Sequence, residues 1–238
     1  MNSGLSAKYL SVVVMAFNEA ETIIGVVSDA DSILRNTGLS YEILIIDDGS
    51  RDNTGEICDN LAKEFTGIGV VHHKQNLGLG NVYRTAFRKA QGEFLTFYPA
   101  DGQFPVSNIN EFIPLMKDHD LILGNIKEVK SSWVSKVLAN GERMLLRLIF
   151  GEFPHFKGII MFRRSILDSI QLRSSGRAWM VLMELLIKAY RRGFKIDSIS
   201  VIMRPRAYGK SKVNNIKTVA SFLGQIFSLK ISLLRFGV

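Results

Sequence analysis

The first hundred residues alternate between short apolar segments and segments with helical spacing, and this alternation restricts the fold more than any other feature. No apolar segment exceeds eight residues, which suits one buried strand and is too short for a helix. These segments cover residues 9–16, 41–46, 69–72 and 94–98. The pattern predicts an α/β fold with a mostly parallel (mixed) central sheet and helices on both faces.

Polar or glycine-rich residues follow each of the four predicted strands. Right-handed crossovers bring the carboxyl ends of parallel strands to one edge of the sheet, and ligands bind just beyond that edge. Glu19, Asp48 and Asp101 follow three of these strands. The sequence therefore predicts that three acids, far apart along the chain, meet in one cleft.

The residues after the fourth predicted strand combine a carboxylate with a carboxamide. Asp101 and Gln103 stand two residues apart in the run Pro-Ala-Asp-Gly-Gln. Their oxygen atoms suit a hard cation such as Mg²⁺ or Mn²⁺, which in turn suits phosphate. The alternative interpretation is an Asp-Gly turn that binds nothing.

Two amphipathic segments follow in the less regular second half of the chain. Residues 131–150 and 216–236 mix large apolar side chains with Lys and Arg, as do helices that lie in the interface of an anionic bilayer. An ordinary core helix or a dimer contact is the alternative. The simplest division is a domain over residues 1–212 and an amphipathic C-terminal segment over 213–238 that contacts a membrane surface or a partner.

The net charge of +8 admits nucleic acid, an anionic membrane surface or a phosphate-bearing substrate as partners. Basic residues do not interleave with aromatic ones, so we do not expect nucleic-acid binding. The single cysteine, Cys58, is predicted to be a buried structural thiol. No secretory signal or spanning helix is visible. We therefore expect a cytoplasmic protein, peripheral at the cytoplasmic face of a membrane.

Four separated blocks resemble glycosyltransferase family 2, which has the Rossmann-like GT-A fold. Within that family they resemble the branch of dolichol-phosphate mannose synthases and other polyprenyl-phosphate glycosyltransferases. The blocks are Phe-Asn-Glu at 17–19, Asp-Asp-Gly-Ser-Arg-Asp-Asn-Thr at 47–54, Asn-Leu-Gly-Leu-Gly at 76–80 and Arg-Ala-Tyr-Gly-Lys-Ser-Lys at 206–212. They occur in the order of the family and cover about residues 9–212.

The resemblance implies an inverting transfer of a sugar from a nucleoside-diphosphate sugar to a polyprenyl phosphate, as in cell-envelope or glycan biosynthesis. It implies that Mg²⁺ or Mn²⁺ is bound by Asp101 and Gln103. It implies that Asp101, Arg206 and Lys212 are the catalytic residues, with Arg206 and Lys212 binding the nucleotide diphosphate or the acceptor phosphate. The residues implied to hold the nucleotide are Phe17, Glu19, Asp48 and Ala100. One departure from the family is Pro99, which replaces the first aspartate of Asp-x-Asp and so removes a possible metal ligand.

Two other functions remain open at this point. One is transfer to a saccharide or soluble hydroxyl, for which Glu184 on an apolar helical segment could act as the base. A phosphate acceptor is already anionic near neutral pH and needs no base, and Glu184 would then be structural. The other is a non-catalytic scaffold that binds nucleotide sugars. A homodimer or an integral-membrane partner is possible with each function. The four histidines are predicted to be structural: His72, His73, His119 and His155.

Overall fold

A computed structural model of the protein describes residues 9–127, 133–154, 156–174, 180–205 and 216–236. Seven strands in these residues form one sheet. They are β1 (Leu10–Ala16), β2 (Tyr41–Asp47), β3 (Ile68–His72), β4 (Phe94–Pro99), β5 (Leu121–Ile126), β6 (Gly158–Arg163) and β7 (Ile196–Val201). Their order across the sheet is β3-β2-β1-β4-β6-β5-β7. Each of the first four strands begins and ends within one residue of its predicted boundary.

The sheet is mixed, as predicted. Strand β1 pairs in parallel with β2 and β4, β2 with β3, and β5 with β7. Strand β6 runs antiparallel to both of its neighbours, β4 and β5. The beginning of β6 therefore lies at the same edge as the carboxyl ends of the parallel strands. Because of this reversal, residues that precede β6 can contribute to a site at that edge.

Helices cover both faces of the sheet. They are α1 (Ile23–Thr37), α2 (Thr54–Glu64), α3 (Leu79–Lys89), α4 (Ile109–Phe112), α5 (Trp133–Phe150), α6 (Ser165–Ser169), α7 (Met180–Arg191) and α8 (Ile216–Phe236). Val12 and Val14 of β1 pack in a core with α1, α2 and α4, whereas Val13 packs with α3, α6 and α7. Strand β1 is buried on both faces, which explains its continuous apolar sequence.

Two features of local structure follow from single residues. Helix α4 continues as a 3₁₀ turn over Ile113–Lys117, because Pro114 supplies no N–H for an α-helical hydrogen bond. Cys58 is buried in the core beside α1, as predicted. Burial raises the pKa of its thiol to about 12, so the thiolate form is scarce at neutral pH.

Helices α5, α7 and α8 share a third apolar core. It contains Leu146 and Phe150 of α5, Met183 of α7, and Ile226 and Leu229 of α8. Helix α8 falls in the segment predicted as a C-terminal appendage, and it packs directly on the helices of the domain. None of the helices in the described residues is both long and apolar enough to cross a membrane.

The sides of α5 and α8 that face away from this core expose large apolar side chains among basic and polar ones. Leu148 is 74% exposed and Leu234 is 73% exposed, and other large apolar side chains accompany them on the same two helices. We call this surface the α5–α8 face; its apolar members are Met144, Leu145, Leu148, Phe227, Ile231 and Leu234.

Candidate functional site

A cavity of about 780 Å³ lies at the edge of the sheet where the parallel strands end. Glu19, Asp48 and Asp101 all line it. They come from the segments that follow β1, β2 and β4, which are adjacent in the sheet. The predicted meeting of three acids in one cleft is therefore confirmed.

The remaining predicted site residues divide into three groups. Phe17 and Ala100 line the cavity, and the Ala100 N–H donates to the carbonyl of Met15 at 2.9 Å. Gln103 is described but is not among the lining residues, and its backbone N–H donates to Asp101 Oδ1 at 3.0 Å. Arg206 and Lys212 lie outside the described residues.

Hydrogen bonds join the segment after β1 to the segment after β2. The Asn18 N–H donates to Ser50 Oγ at 2.9 Å, and Asn18 Oδ1 accepts from the Arg51 N–H at 2.8 Å. The Glu19 N–H donates to Thr54 Oγ1 at 2.9 Å. Asn18 has a φ of 55°, so the chain turns sharply there and α1 begins only at Ile23. These contacts fix Phe17 and Glu19 at the mouth of the cavity.

The buried carboxylate of Asp48 organises the glycine-rich loop at residues 76–80. Oδ1 accepts from the Leu77 N–H at 2.9 Å, and Oδ2 accepts from the Gly78 N–H at 2.8 Å. His73 Nδ1 lies 2.7 Å from Oδ1, and its Nε2 lies 2.9 Å from Thr85 Oγ1 of α3. Asp48 therefore couples β2, the loop and α3, and its contact with a nucleotide stays a prediction.

The carboxylate of the neighbouring Asp47 is held by hydrogen bonds from other residues of the chain. Its Oδ1 accepts from the Ser50 N–H at 3.0 Å, and its Oδ2 lies 2.9 Å from His72 Nδ1. The opposite ring nitrogen of His72 is 3.1 Å from Asp59 Oδ1. The hydrogen bond with Asp47 raises the pKa of His72 above its ordinary value. Both imidazole nitrogens of His72 and of His73 are engaged by protein groups, as expected for structural histidines.

Asp101 fits the requirements of a divalent cation that also binds phosphate. Mg²⁺ is commonly held by one or two carboxylates together with substrate phosphate oxygens, not by a cage of protein ligands alone. The described residues contain no group of three or more His, Cys, Asp or Glu side chains placed to hold a metal. Asp101, which is 6% exposed, supplies a carboxylate at the cavity wall. Metal binding by Asp101 and by Gln103 stays a prediction.

Lys157 also lines the cavity, although it is not among the site residues predicted from the sequence. It precedes β6, whereas the sequence pattern predicted site residues only after strands. Because β6 is antiparallel, the residues before it reach the cavity edge. Phe156 lines the cavity beside Lys157, and an apolar wall continues from it. That wall is formed by Val82, Leu146, Phe153, Met183 and Leu186. The sequence feature that could have indicated Lys157 is the aromatic segment Phe-Pro-His-Phe directly before a lysine and a glycine.

Glu184 does not line the cavity and is completely buried. Its carboxylate accepts from the backbone N–H groups of Arg173 and Ser174, and from Lys188 Nζ at 2.9 Å. Lys188 Nζ also donates to the carbonyl of Gln171 at 2.7 Å. Burial alone would raise the pKa of Glu184, but these hydrogen bonds outweigh burial and lower it. This environment is that of a structural ion pair.

Residues 11–171, more than half of the chain, match the family model for glycosyl transferase family 2. The chain is 28% identical over 231 residues to the dolichol-phosphate mannosyltransferase of Pyrococcus furiosus, covering 92% of this chain and 63% of that protein. It is 27% identical over 222 residues to the dolichyl-phosphate beta-glucosyltransferase of Saccharomyces cerevisiae, covering 81% of this chain and 66% of that protein. The chain thus spans less than two thirds of either relative.

A solved structure shares the fold. Glucosyl-3-phosphoglycerate synthase from Mycobacterium tuberculosis, in complex with Mn²⁺, UDP and phosphoglyceric acid, superposes with a TM-score of 0.66. The match covers 92% of this chain and 78% of the synthase, at 21% identity. The predicted GT-A fold is confirmed by this likeness.

Proposed function

The chain belongs to glycosyl transferase family 2, and we propose that it transfers a sugar from a nucleoside-diphosphate sugar to a polyprenyl phosphate with inversion at the anomeric carbon. The two relatives compared above are named for transfer to dolichol phosphate, which supports this choice of acceptor class. The synthase of similar fold was solved with a nucleoside diphosphate and Mn²⁺, which supports the donor class and a divalent cation.

The observation that carries the proposal is the composition of the cavity. Glu19, Asp48 and Asp101 line it after β1, β2 and β4, and the lining residues around the start of β6 and on α5 and α7 are largely apolar and aromatic. A nucleotide sugar needs polar groups and a cation, whereas a polyprenyl phosphate brings a hydrocarbon chain to the same reacting centre. A cavity with an acidic side and an apolar side suits both substrates at once.

The proposed reaction is a single displacement. An oxygen of the acceptor phosphate forms a bond to the anomeric carbon as the bond from that carbon to the diphosphate breaks on the opposite face. Phe17, Glu19, Asp48 and Ala100 hold the nucleoside, and Asp101 would hold a divalent cation. That cation would stabilise negative charge on the leaving group. The acceptor phosphate is already ionised, so no side chain has to remove a proton.

Arg206 and Lys212 complete the proposed site as cations near the phosphates. Arginine offers a planar pair of donors for phosphate oxygens, and lysine offers a mobile point charge. Both belong to the sequence block that resembles polyprenyl-phosphate transferases, which supports the assignment.

The α5–α8 face suits the surface of an anionic membrane. Arg143 and Arg147 lie beside Met144 and Leu148 on α5, and Lys230 and Arg235 accompany the apolar residues of α8. Basic residues attract anionic head groups while the apolar side chains enter the interface. We propose that this face holds the protein at the membrane that contains its lipid acceptor.

Leu148→Glu is expected to weaken binding to anionic vesicles by at least about 10-fold, because a buried leucine contributes about 1.5–3 kcal/mol and the new charge repels the lipid. Co-sedimentation with phosphatidylglycerol-containing vesicles measures the effect. Ile24→Glu on α1 is the matched control, since Ile24 is also exposed but lies outside this face. Equal vesicle binding by Leu148→Glu and the unmodified protein would refute the membrane role of α5.

A donor screen tests the proposed reaction. The purified protein is incubated with Mn²⁺, polyprenyl phosphate and UDP- or GDP-linked sugars, and both released nucleoside diphosphate and lipid-linked sugar are measured. We expect one donor to give both products in equal amounts and only when the lipid phosphate is present. Nucleotide binding without turnover of any donor would favour a scaffold, and turnover with a saccharide acceptor alone would favour the hydroxyl-acceptor function.

A further inference from the structure

The backbone of Lys157 is held firmly at the cavity edge. Its N–H donates to Asn125 Oδ1 at 2.9 Å, and its carbonyl accepts from the Ile126 N–H at 2.8 Å. The next residue, Gly158, has a φ of 152°, and a Cβ there would lie 2.1 Å from the carbonyl oxygen of Gly124. Only glycine permits this close approach of β6 to β5. The end of β5 therefore fixes the position of the Lys157 backbone.

The side chain of Lys157 is exposed and lines the cavity. Within the part of the chain that the structure describes, it is the one cationic residue of the cavity wall, which also carries three acids. Its ammonium group forms no hydrogen bond or ion pair with the other described residues. A lysine with a fixed backbone and a mobile ammonium group in a cavity is suited to bind an anionic ligand.

The order of the strands separates Lys157 from the residues proposed to hold the nucleoside. Phe17, Glu19 and Asp48 follow β1 and β2, whereas Lys157 precedes β6, on the other side of β4. Asp101 follows β4 and so lies between the two groups. A ligand group bound by Lys157 therefore approaches Asp101 from the side opposite the nucleoside.

Most of the apolar wall of the cavity lies on the same side as Lys157, and Val82 of α3 is the exception. Phe153 and Phe156 belong to the segment that leads into β6, and Leu146, Met183 and Leu186 come from α5 and α7. Leu146 and Met183 also belong to the core that supports the α5–α8 face. An anionic group at Lys157 would thus have hydrocarbon surface next to it.

We propose that Lys157 binds the phosphate of the lipid acceptor and that Phe153 and Phe156 contact its first isoprene unit. This inference rests on the proposed function, and it assigns the acceptor to the β6 side of Asp101. The donor diphosphate lies on the β1 side of Asp101. The phosphate at Lys157 is thereby directed at the anomeric carbon from the face opposite the leaving group.

Direct binding of farnesyl phosphate, measured by calorimetry in detergent without any donor, tests the inference. Lys157→Met removes a charged hydrogen bond, so we expect its Kd to rise by about 10- to 100-fold. Lys157→Arg retains the charge and should remain within a few fold of the unmodified protein. Lys195→Met is the matched control, because Lys195 precedes β7 at the opposite edge of the sheet. Affinities for farnesol, UDP and GDP should be unchanged in every variant.

Equal affinity of Lys157→Met and the unmodified protein for farnesyl phosphate would overturn the inference. It would also be overturned if the unmodified protein bound farnesyl phosphate no more tightly than farnesol. A selective loss of UDP or GDP affinity in Lys157→Met would place the lysine on the donor side and overturn it as well. If no donor is turned over in the screen but binding of farnesyl phosphate still depends on Lys157, only the proposed sugar transfer is refuted. The failure of the proposed function can therefore be distinguished from the failure of this inference.

Discussion

Asp101→Ala is expected to reduce sugar transfer by at least about 100-fold, which is the loss seen when a single group that stabilises transition-state charge is removed. The expectation follows from the position of Asp101 between the proposed donor and acceptor sides of the cavity. Pro99 occupies the place of the first family aspartate, so Asp101 is the carboxylate of that motif that this chain retains. Initial rates of lipid-linked sugar formation measure the change.

The fold should survive this substitution. The hydrogen bond from the Gln103 N–H to Asp101 contributes about 1 kcal/mol, a small part of the stability of a domain. Asp101→Asn retains an acceptor for that hydrogen bond and should be nearly as inactive as the alanine variant. Asp118→Ala, at an exposed aspartate after the α4 region, is the control. Undiminished turnover by folded Asp101→Ala would remove Asp101 from the mechanism.

Glu184→Ala is expected to lower the free energy of unfolding by about 3–5 kcal/mol, because removing one partner leaves the buried Lys188 ammonium uncompensated. The N–H groups of Arg173 and Ser174 also lose their acceptor. Urea denaturation followed by circular dichroism measures the loss. A change below about 1 kcal/mol would contradict the structural role given to this ion pair.

The double variant Glu184→Gln with Lys188→Met separates stability from chemistry. It removes both charges, while the glutamine carbonyl can still accept a backbone hydrogen bond, so stability should largely return. If the acceptor is a phosphate, the double variant should transfer sugar at nearly the unmodified rate. A stable double variant that transfers no sugar would identify Glu184 as a base and favour a hydroxyl acceptor.

The first four strands and the acidic side of the cavity could be predicted from the amino-acid sequence alone. Buried parallel strands have continuous apolar sequences, and the residues after them must lie at one edge. For this reason the positions of Glu19, Asp48 and Asp101 along the chain were enough to assign them to one cleft. The boundaries of β1 to β4 were equally predictable, because polar and glycine-rich residues end each strand.

The apolar side of the cavity could not be predicted in the same way. It depends on the antiparallel direction of β6, which brings Lys157 to the edge. The sequence of an apolar strand of six residues does not indicate whether the strand runs parallel or antiparallel to its neighbours. Leu146 and Met183 reach the cavity through the packing of α5 and α7. The buried contacts of Asp48 with His73 and the glycine-rich loop likewise depend on tertiary structure.

A crystal structure with a nucleoside-diphosphate sugar and Mn²⁺ would show which residues bind each part of the donor. We expect the nucleoside against Phe17, Glu19 and Asp48, the Mn²⁺ on Asp101, and the anomeric carbon open toward Lys157. Density for the nucleotide outside this cavity, or a diphosphate remote from Asp101, would contradict this expectation.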